Sequence, residues 1–81
     1  GGGLGQDLPV LEVAGDSVSL VDALAGLGFA ASRGEAKRLI AGGGARVEGV
    51  AITDDSHVIS LSQNEIRVSS GKKKHGILRR A

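Results

Sequence analysis

The sequence predicts an α+β fold in which two short N-terminal helices pack on a small, mostly antiparallel sheet. Apolar residues recur with helical spacing between residues 20 and 40, and short alternating segments separated by turn residues follow from residue 46 onward. The chain has 81 residues, which is room for one small domain. A domain of this size buries only about 60% of its unfolded surface, so we expect a modest core.

The start of the chain, GGGLGQDLP, is rich in glycine and ends at the only proline, a composition typical of a linker. We expect residues 1–16 to form this flexible linker, or to include residues left from cloning, with one short extended segment from Pro9 to Val13. The folded domain is then expected to span residues 17–81.

Both helices carry start signals in the sequence. Ser19 with Asp22, and Ser32 with Glu35, match the capping box that begins a helix. The apolar stripe of each helix ends at glycine, which suits a left-handed C-terminal cap, at Gly28 for the first helix and at residues 42–44 for the second. We therefore expect two short helices joined by about four residues.

The rest of the chain predicts strands and tight turns. A hairpin turn is expected at residues 48–49 and another at residues 70–72, with further turns at residues 54–56 and 62–64. The strands between these turns, including residues 57–61 and 65–68, are expected to continue one sheet.

Charge is divided unevenly along the chain. Residues 1–31 contain four acids and no Lys or Arg, whereas residues 32–81 contain ten cations and five acids. A basic partner surface, if the protein has one, therefore belongs to the second part. The alternative is that these cations only solvate a small domain.

The second predicted helix carries the main basic group. With Ala36 and its apolar neighbours facing the core, Arg33 and Lys37 lie one turn apart on a flank and Arg38 points outward. The first turn of a helix offers free N–H groups, so Arg33, Gly34 and Lys37 together can hold a phosphate. The alternative is a weak helix in which Gly34 has no special role.

A second basic group, Lys72 to Lys74, lies at the expected tip of the last hairpin. Three lysines on a turn are often only solvated, and they also discourage aggregation of an edge strand.

Phe29 is the only aromatic residue and is expected to anchor the core, so the chain cannot stack several bases as many single-strand binders do. A nucleic-acid partner would have to be structured RNA, bound through phosphate, sugar and shape.

The sequence provides no catalytic or metal site that we can assign. GLGFAA, residues 26–31, matches a dinucleotide fingerprint on paper but ends a helix, and residues 54–57 are first of all a turn. Cysteine is absent and the two histidines are isolated, so we expect no metal site. No apolar run approaches the roughly 20 residues of a membrane span, and we expect a cytoplasmic protein without a membrane partner.

Three segments carry a family resemblance: SRGEAKRLI at residues 32–40, GGARVEG at residues 43–49 and ITD at residues 52–54. They resemble the RNA-binding domain first described in ribosomal protein S-four, which contains the αL RNA-binding motif. Glu48 stands where that family has Asn. The lead-in from Leu8 and the ending IRVSSGKKKHGIL at residues 66–78 further resemble the C-terminal domain of bacterial tyrosyl-tRNA synthetases. Ser69 and Ser70 depart from that pattern in a way that lengthens the last hairpin.

The resemblance implies an RNA-binding domain that grips tyrosine tRNA near its long variable arm and does no chemistry itself. ATP and tyrosine would bind in a separate catalytic domain, through which the parent enzyme would form a homodimer. The residues implied in phosphate contact are Arg33, Lys37 and Arg38, with Gly34 allowing close approach and Arg46, Lys72, Lys73 and Lys74 as further candidates. Two alternatives stay open: a similar module of a ribosome-associated protein or pseudouridine synthase, and a protein-interaction domain.

Overall fold

The computed structural model describes residues 8–62 and 65–81, and within these ranges it confirms the predicted α+β fold class. The described part of the chain contains two helices and seven strands. In chain order the elements are β1 (Val10–Val13), β2 (Ser17–Ser19), α1 (Leu20–Gly26), α2 (Arg33–Ala41), β3 (Ala45–Val47), β4 (Val50–Ala51), β5 (Val58–Ser60), β6 (Glu65–Ser70) and β7 (Lys74–Arg80).

The strands form two sheets instead of the single sheet expected from the sequence. The main sheet has the order β1-β7-β6-β3-β4, with β1 parallel to β7 and the other pairs antiparallel. The expectation that residues 57–61 continue this sheet is wrong, because β5 pairs with β2 in a separate two-stranded sheet. This pairing places Ile59 and Leu61 in the core beside the helices.

The extended segment expected near Pro9 is confirmed as β1, which pairs in register with β7 from Val10 opposite Ile77. Val13 at the end of β1 is buried. The compact unit therefore begins earlier than the predicted domain start at residue 17, because the hydrogen bonds of β1 attach it to the sheet. Residues 1–7 of the predicted linker lie outside the described residues.

Both predicted helix starts are confirmed by capping hydrogen bonds. The Oγ atom of Ser19 accepts a hydrogen bond from the backbone N–H of Asp22 over 3.1 Å. The Oγ atom of Ser32 accepts one from the backbone N–H of Glu35 over the same distance of 3.1 Å. Each bond satisfies a donor that has no partner within the helix, so these local signals fix where α1 and α2 begin.

The helix ends also follow the predicted glycine pattern. Gly28 after α1 has φ of 81° and Gly43 after α2 has φ of 79°, a left-handed conformation that favours glycine. After α2, the N–H of Gly44 donates to the carbonyl oxygen of Leu39 over 3.0 Å. A Cβ atom on Gly44 would lie 2.6 Å from Leu39 Cδ1 and 3.4 Å from the Leu39 carbonyl oxygen, so glycine at positions 43 and 44 favours the turn of the chain from α2 into β3.

The core lies between the two helices and one face of the main sheet. Strand β6 shows the alternation, since Ile66 and Val68 are buried while Glu65 and Arg67 are exposed on the other side. We call the exposed side, which carries Arg67, the open face of the sheet. The largest fully buried side chains are Leu20, Leu24, Ile40, Leu61, Val68 and Leu78.

Strand β7 packs directly against the connection between the helices. A Cβ atom on Gly76 would lie 2.9 Å from Leu27 Cδ2 and 3.1 Å from Phe29 Cζ. Phe29 packs against the buried core from this connection, as predicted for the only aromatic residue. Glycine at position 76 therefore allows the connection between the helices to approach the sheet closely.

Candidate nucleic-acid interface

The predicted basic group of α2 lies on the solvent side of the helix. Arg33, Lys37 and Arg38 are exposed, whereas Ala36 and Ile40 on the other side are fully buried. The buried residues fix the rotation of α2, so the three cations are presented on a rigid support. We call these three residues the helix facet.

One member of the helix facet has an acidic partner. The Nη2 atom of Arg33 lies 3.0 Å from Oδ1 of Asp22 in the first turn of α1, with the two side chains 75% and 46% exposed. An ion pair this open to water contributes at most about 1 kcal/mol to stability. It nevertheless reduces the charge that Arg33 presents, so Lys37 and Arg38 are the stronger cations of the facet.

Gly34 lies in open space at the first turn of α2. The nearest atom that a Cβ would meet is Ser32 Oγ, at 3.9 Å. Packing therefore gives no reason for glycine here, although glycine inside a helix costs about 1 kcal/mol relative to alanine. The position is consistent with the predicted close approach of a ligand to the helix.

The second predicted basic group lies on the turn between β6 and β7, as expected. Lys72 and Lys73 belong to the turn, and Lys74 is the first residue of β7, paired with Ser70. All three lysines are exposed. Ser69 and Ser70 lie within β6 and pair with His75 and Lys74 of β7.

A half-open concavity of about 550 Å³ on the open face brings two of the predicted cations together. Arg46 and Lys72 line it with Arg67 and His75, which the sequence reasoning missed. The remaining lining residues are Gly43, Gly44, Gly49, Ser69 and Gly71. Lys73, Lys74 and the helix facet lie outside this lining.

The register of the sheet explains this grouping. Arg46 of β3 pairs with Ser69 of β6, which pairs in turn with His75 of β7, so the three residues form one row across the sheet. Arg67 lies two residues before Ser69 and therefore shares its face. Alternation in β6 was visible in the sequence, but the cross-strand register that unites these residues was not.

Glu48 has a structural role at the β3–β4 turn. Glu48 has φ of 52° and Gly49 has φ of 83°, as expected for the predicted tight hairpin turn. The Oε2 atom of Glu48 accepts a hydrogen bond from the backbone N–H of Arg67 over 2.8 Å. The carboxylate therefore attaches the turn to β6.

The predicted turn at residues 54–56 is confirmed, and the carboxylate of Asp54 is hydrogen-bonded within it. Asp54 Oδ1 accepts hydrogen bonds from Ser56 Oγ over 2.6 Å and from Ser56 N over 2.9 Å. These bonds lower the pKa of Asp54, the hydroxyl bond having the larger effect.

In the described ranges no group of three acidic or histidine side chains is placed to hold a metal ion, and no helix is long and apolar enough to cross a membrane.

Together, the two helices, the sheet and the exposed cations define a small α+β domain with a basic surface. Residues 2–80 match the sequence model of the tyrosine–tRNA ligase SYY-like C-terminal domain. The chain belongs to this family, which confirms the resemblance found in the sequence.

Known relatives agree with this assignment. The chain is 69% identical over 81 residues to a tyrosine–tRNA ligase of Novosphingobium aromaticivorans, a match that covers all of this chain and 20% of the relative. It is 51% identical over 77 residues to the tyrosine–tRNA ligase of Zymomonas mobilis, covering 95% of this chain and 19% of the relative. The chain thus spans about a fifth of the length of these relatives.

Proposed function

We propose that this chain is the tRNA-binding domain of a tyrosine–tRNA ligase. It holds tyrosine tRNA near the long variable arm and does no chemistry itself, while the rest of the ligase binds ATP and tyrosine and forms the homodimer in the cytoplasm. The family assignment and the identity to tyrosine–tRNA ligases support this function over a ribosome-associated module or a protein-interaction domain.

The observation that carries the proposal is the helix facet. Lys37 and Arg38 are exposed, and neither takes part in an ion pair among the described residues. Their helix is held in place by Ala36 and Ile40 in the core. The backbone that carries the two cations is therefore already ordered before RNA binds. Cations held in this way suit the regular phosphate array of a folded RNA.

Binding through phosphates has a measurable consequence. Each neutralised phosphate releases counterions, and the affinity falls with a slope of roughly 0.7 to 0.9 in log K against log salt. Four to six contacts from the helix facet and from Lys72, Lys73 and Lys74 at the β6–β7 turn therefore predict a total slope of about 3 to 5.

The test is a titration of the chain against tyrosine tRNA and against a version without the long variable arm, at two salt concentrations. We expect tighter, salt-sensitive binding to the intact tRNA. Equal binding to both would contradict the variable-arm site and leave a general structured-RNA module. A preference for ribosomal RNA would favour the ribosome-associated alternative, and self-association without RNA binding would favour the protein-interaction alternative.

A further inference from the structure

We infer that the concavity on the open face of the sheet is a second RNA site, in which Arg46 and Arg67 bind one backbone phosphate and Lys72 contacts it from the rim. This inference rests on the proposed function and deepens it, because it adds an anchoring point away from the helix facet. Arg67 is not among the RNA-binding residues predicted from the sequence, and this site adds it to them.

The positions of the two arginines suit a shared anion. Arg46 lies opposite Ser69, and Arg67 is the residue two before Ser69 on the same face, so Arg46 and Arg67 are diagonal neighbours on adjacent strands. Diagonal neighbours lie about 7–8 Å apart, within reach of long side chains. Two guanidinium groups at this spacing can converge on one phosphate, a group whose geometry they match through paired N–H donors.

The charge of the concavity also fits a phosphate. Its lining contains two arginines and one lysine, and no carboxylate is present among its described residues. Neither arginine forms an ion pair in the part of the chain that the structure describes, whereas Arg33 and Arg79 each have an acidic partner. The positive charge of Arg46 and Arg67 is therefore available to a ligand.

The glycines of the concavity are explained by the fold and are not an argument for a ligand. Gly43, Gly49 and Gly71 have positive φ, and a Cβ on Gly44 would displace the Leu39 side chain. Because these glycines carry no side chains, they nevertheless leave space for a ligand beside the cations. The N–H groups of Gly43, Gly44 and Gly71 already donate to carbonyl oxygens, so these three backbone groups are not available to an anion.

The surroundings of Arg67 define where a polyanion can pass. A neighbouring hollow on the other side of Arg67 is lined by Glu48 and Glu65, which repel phosphate. A strand of RNA is therefore favoured on the Arg46 side of Arg67. His75 Nε2 donates to the carbonyl oxygen of Lys72 over 3.1 Å and so steadies the turn on that side.

The location links the concavity to the helix facet. Gly43 and Gly44, which follow the C-terminal end of α2, form part of its lining. Helix α2 has nine residues and is therefore about 13 Å long. Because the helices lie on the other face of the sheet, an RNA that contacts both Lys37 and Arg46 has to pass around the C-terminal end of α2, which an extended polyanion can do and a free phosphate compound cannot.

The test compares Arg46→Gln, Arg67→Gln and the double variant of the 81-residue chain in tyrosine tRNA titrations at two salt concentrations. We expect each single change to weaken binding about fivefold to tenfold and to lower the salt slope by no more than about 0.7 to 0.9, the value for one phosphate. Because both arginines hold the same phosphate, the double variant should lose less than the product of the two single effects. Arg80→Gln is the matched control, since Arg80 is an exposed residue of β7 outside the concavity.

Losses no larger than that of Arg80→Gln would overturn the inference. If Lys37→Glu still weakened binding in that case, the proposed function would stand and only the second site would fail. Absence of tRNA binding by the unchanged chain would instead reject the proposed function itself. ATP binding that Arg67→Gln abolishes, with tRNA affinity unchanged, would also contradict an RNA site.

Discussion

Glu48 and Arg67 are joined by two hydrogen bonds of 2.8 Å each, one to the Glu48 carboxylate and one from its backbone N–H. The carboxylate accepts from the N–H of Arg67, and the N–H of Glu48 donates to the Arg67 carbonyl oxygen. These bonds extend the attachment of β3 to β6 into the hairpin turn. They involve only the backbone of Arg67, so its side chain is left available to the concavity.

Removing the carboxylate at this turn should destabilise the domain. We expect Glu48→Ala to lower the free energy of unfolding by about 1 kcal/mol, because the exposed N–H of Arg67 then bonds only to water. Glu48→Gln keeps a side-chain oxygen that can accept the bond and should lose less. Urea unfolding measures both, and an equal loss for the two variants would show that the acceptor oxygen has no role.

Local features of this fold could be predicted from the sequence, because they depend on residues a few positions apart. The capping residues Ser19 and Ser32 and the turn at residues 48–49 are of this kind. The pairing of β5 with β2 could not be predicted, since it joins segments some 40 residues apart through hydrogen bonds that any strand can make. The parallel pairing of β1 with β7 was hidden for the same reason.

The same distinction applies to the candidate interface. The helix facet follows from helical geometry within nine residues of sequence. The concavity needs three strands in a particular register, and Arg67 joins Arg46 only through the pairing of β3 with β6. The ion pair between Arg33 and Asp22 also escaped prediction, because it depends on how α1 packs beside α2.

Gly34→Ala separates stability from binding. Because a Cβ at this position meets only Ser32 Oγ at 3.9 Å, we expect the variant to fold and to gain about 1 kcal/mol in thermal or urea unfolding. If RNA approaches the first turn of α2 closely, the added methyl group should at the same time weaken tRNA binding. A stabilised variant with unchanged affinity would contradict a close approach at Gly34.

Asp22→Asn should strengthen tRNA binding. The change removes the acidic partner of Arg33 and so increases the positive charge of the helix facet. We expect a severalfold higher affinity at low salt and a stability loss below about 1 kcal/mol, because the ion pair is exposed. Asp55→Asn, which removes another exposed acid, is the control. Equal gains from both variants would indicate a general charge effect without a role for Arg33.

The turn at Asp54 predicts a narrow pH effect. Since hydrogen bonds from Ser56 lower the pKa of Asp54 in the folded state, its contribution to stability is complete above the ordinary pKa of about 3.9. It is lost as the pH falls through the lower folded-state value. An NMR titration of the Asp54 carboxyl carbon should show the depressed pKa, and Ser56→Ala should raise it. An unchanged pKa in that variant would exclude the Ser56 hydroxyl as the main cause.

Charge reversal on the helix facet is a direct test of RNA binding through α2. The measurement is the affinity of Lys37→Glu for tyrosine tRNA, beside Arg80→Glu, which changes the net charge equally at an exposed position of β7. Glu at position 37 lies one turn from Arg33, so the helix should be preserved, which an unfolding curve verifies. We expect binding at least about tenfold weaker for Lys37→Glu than for Arg80→Glu. Equal affinities of the two folded variants would contradict RNA binding through α2.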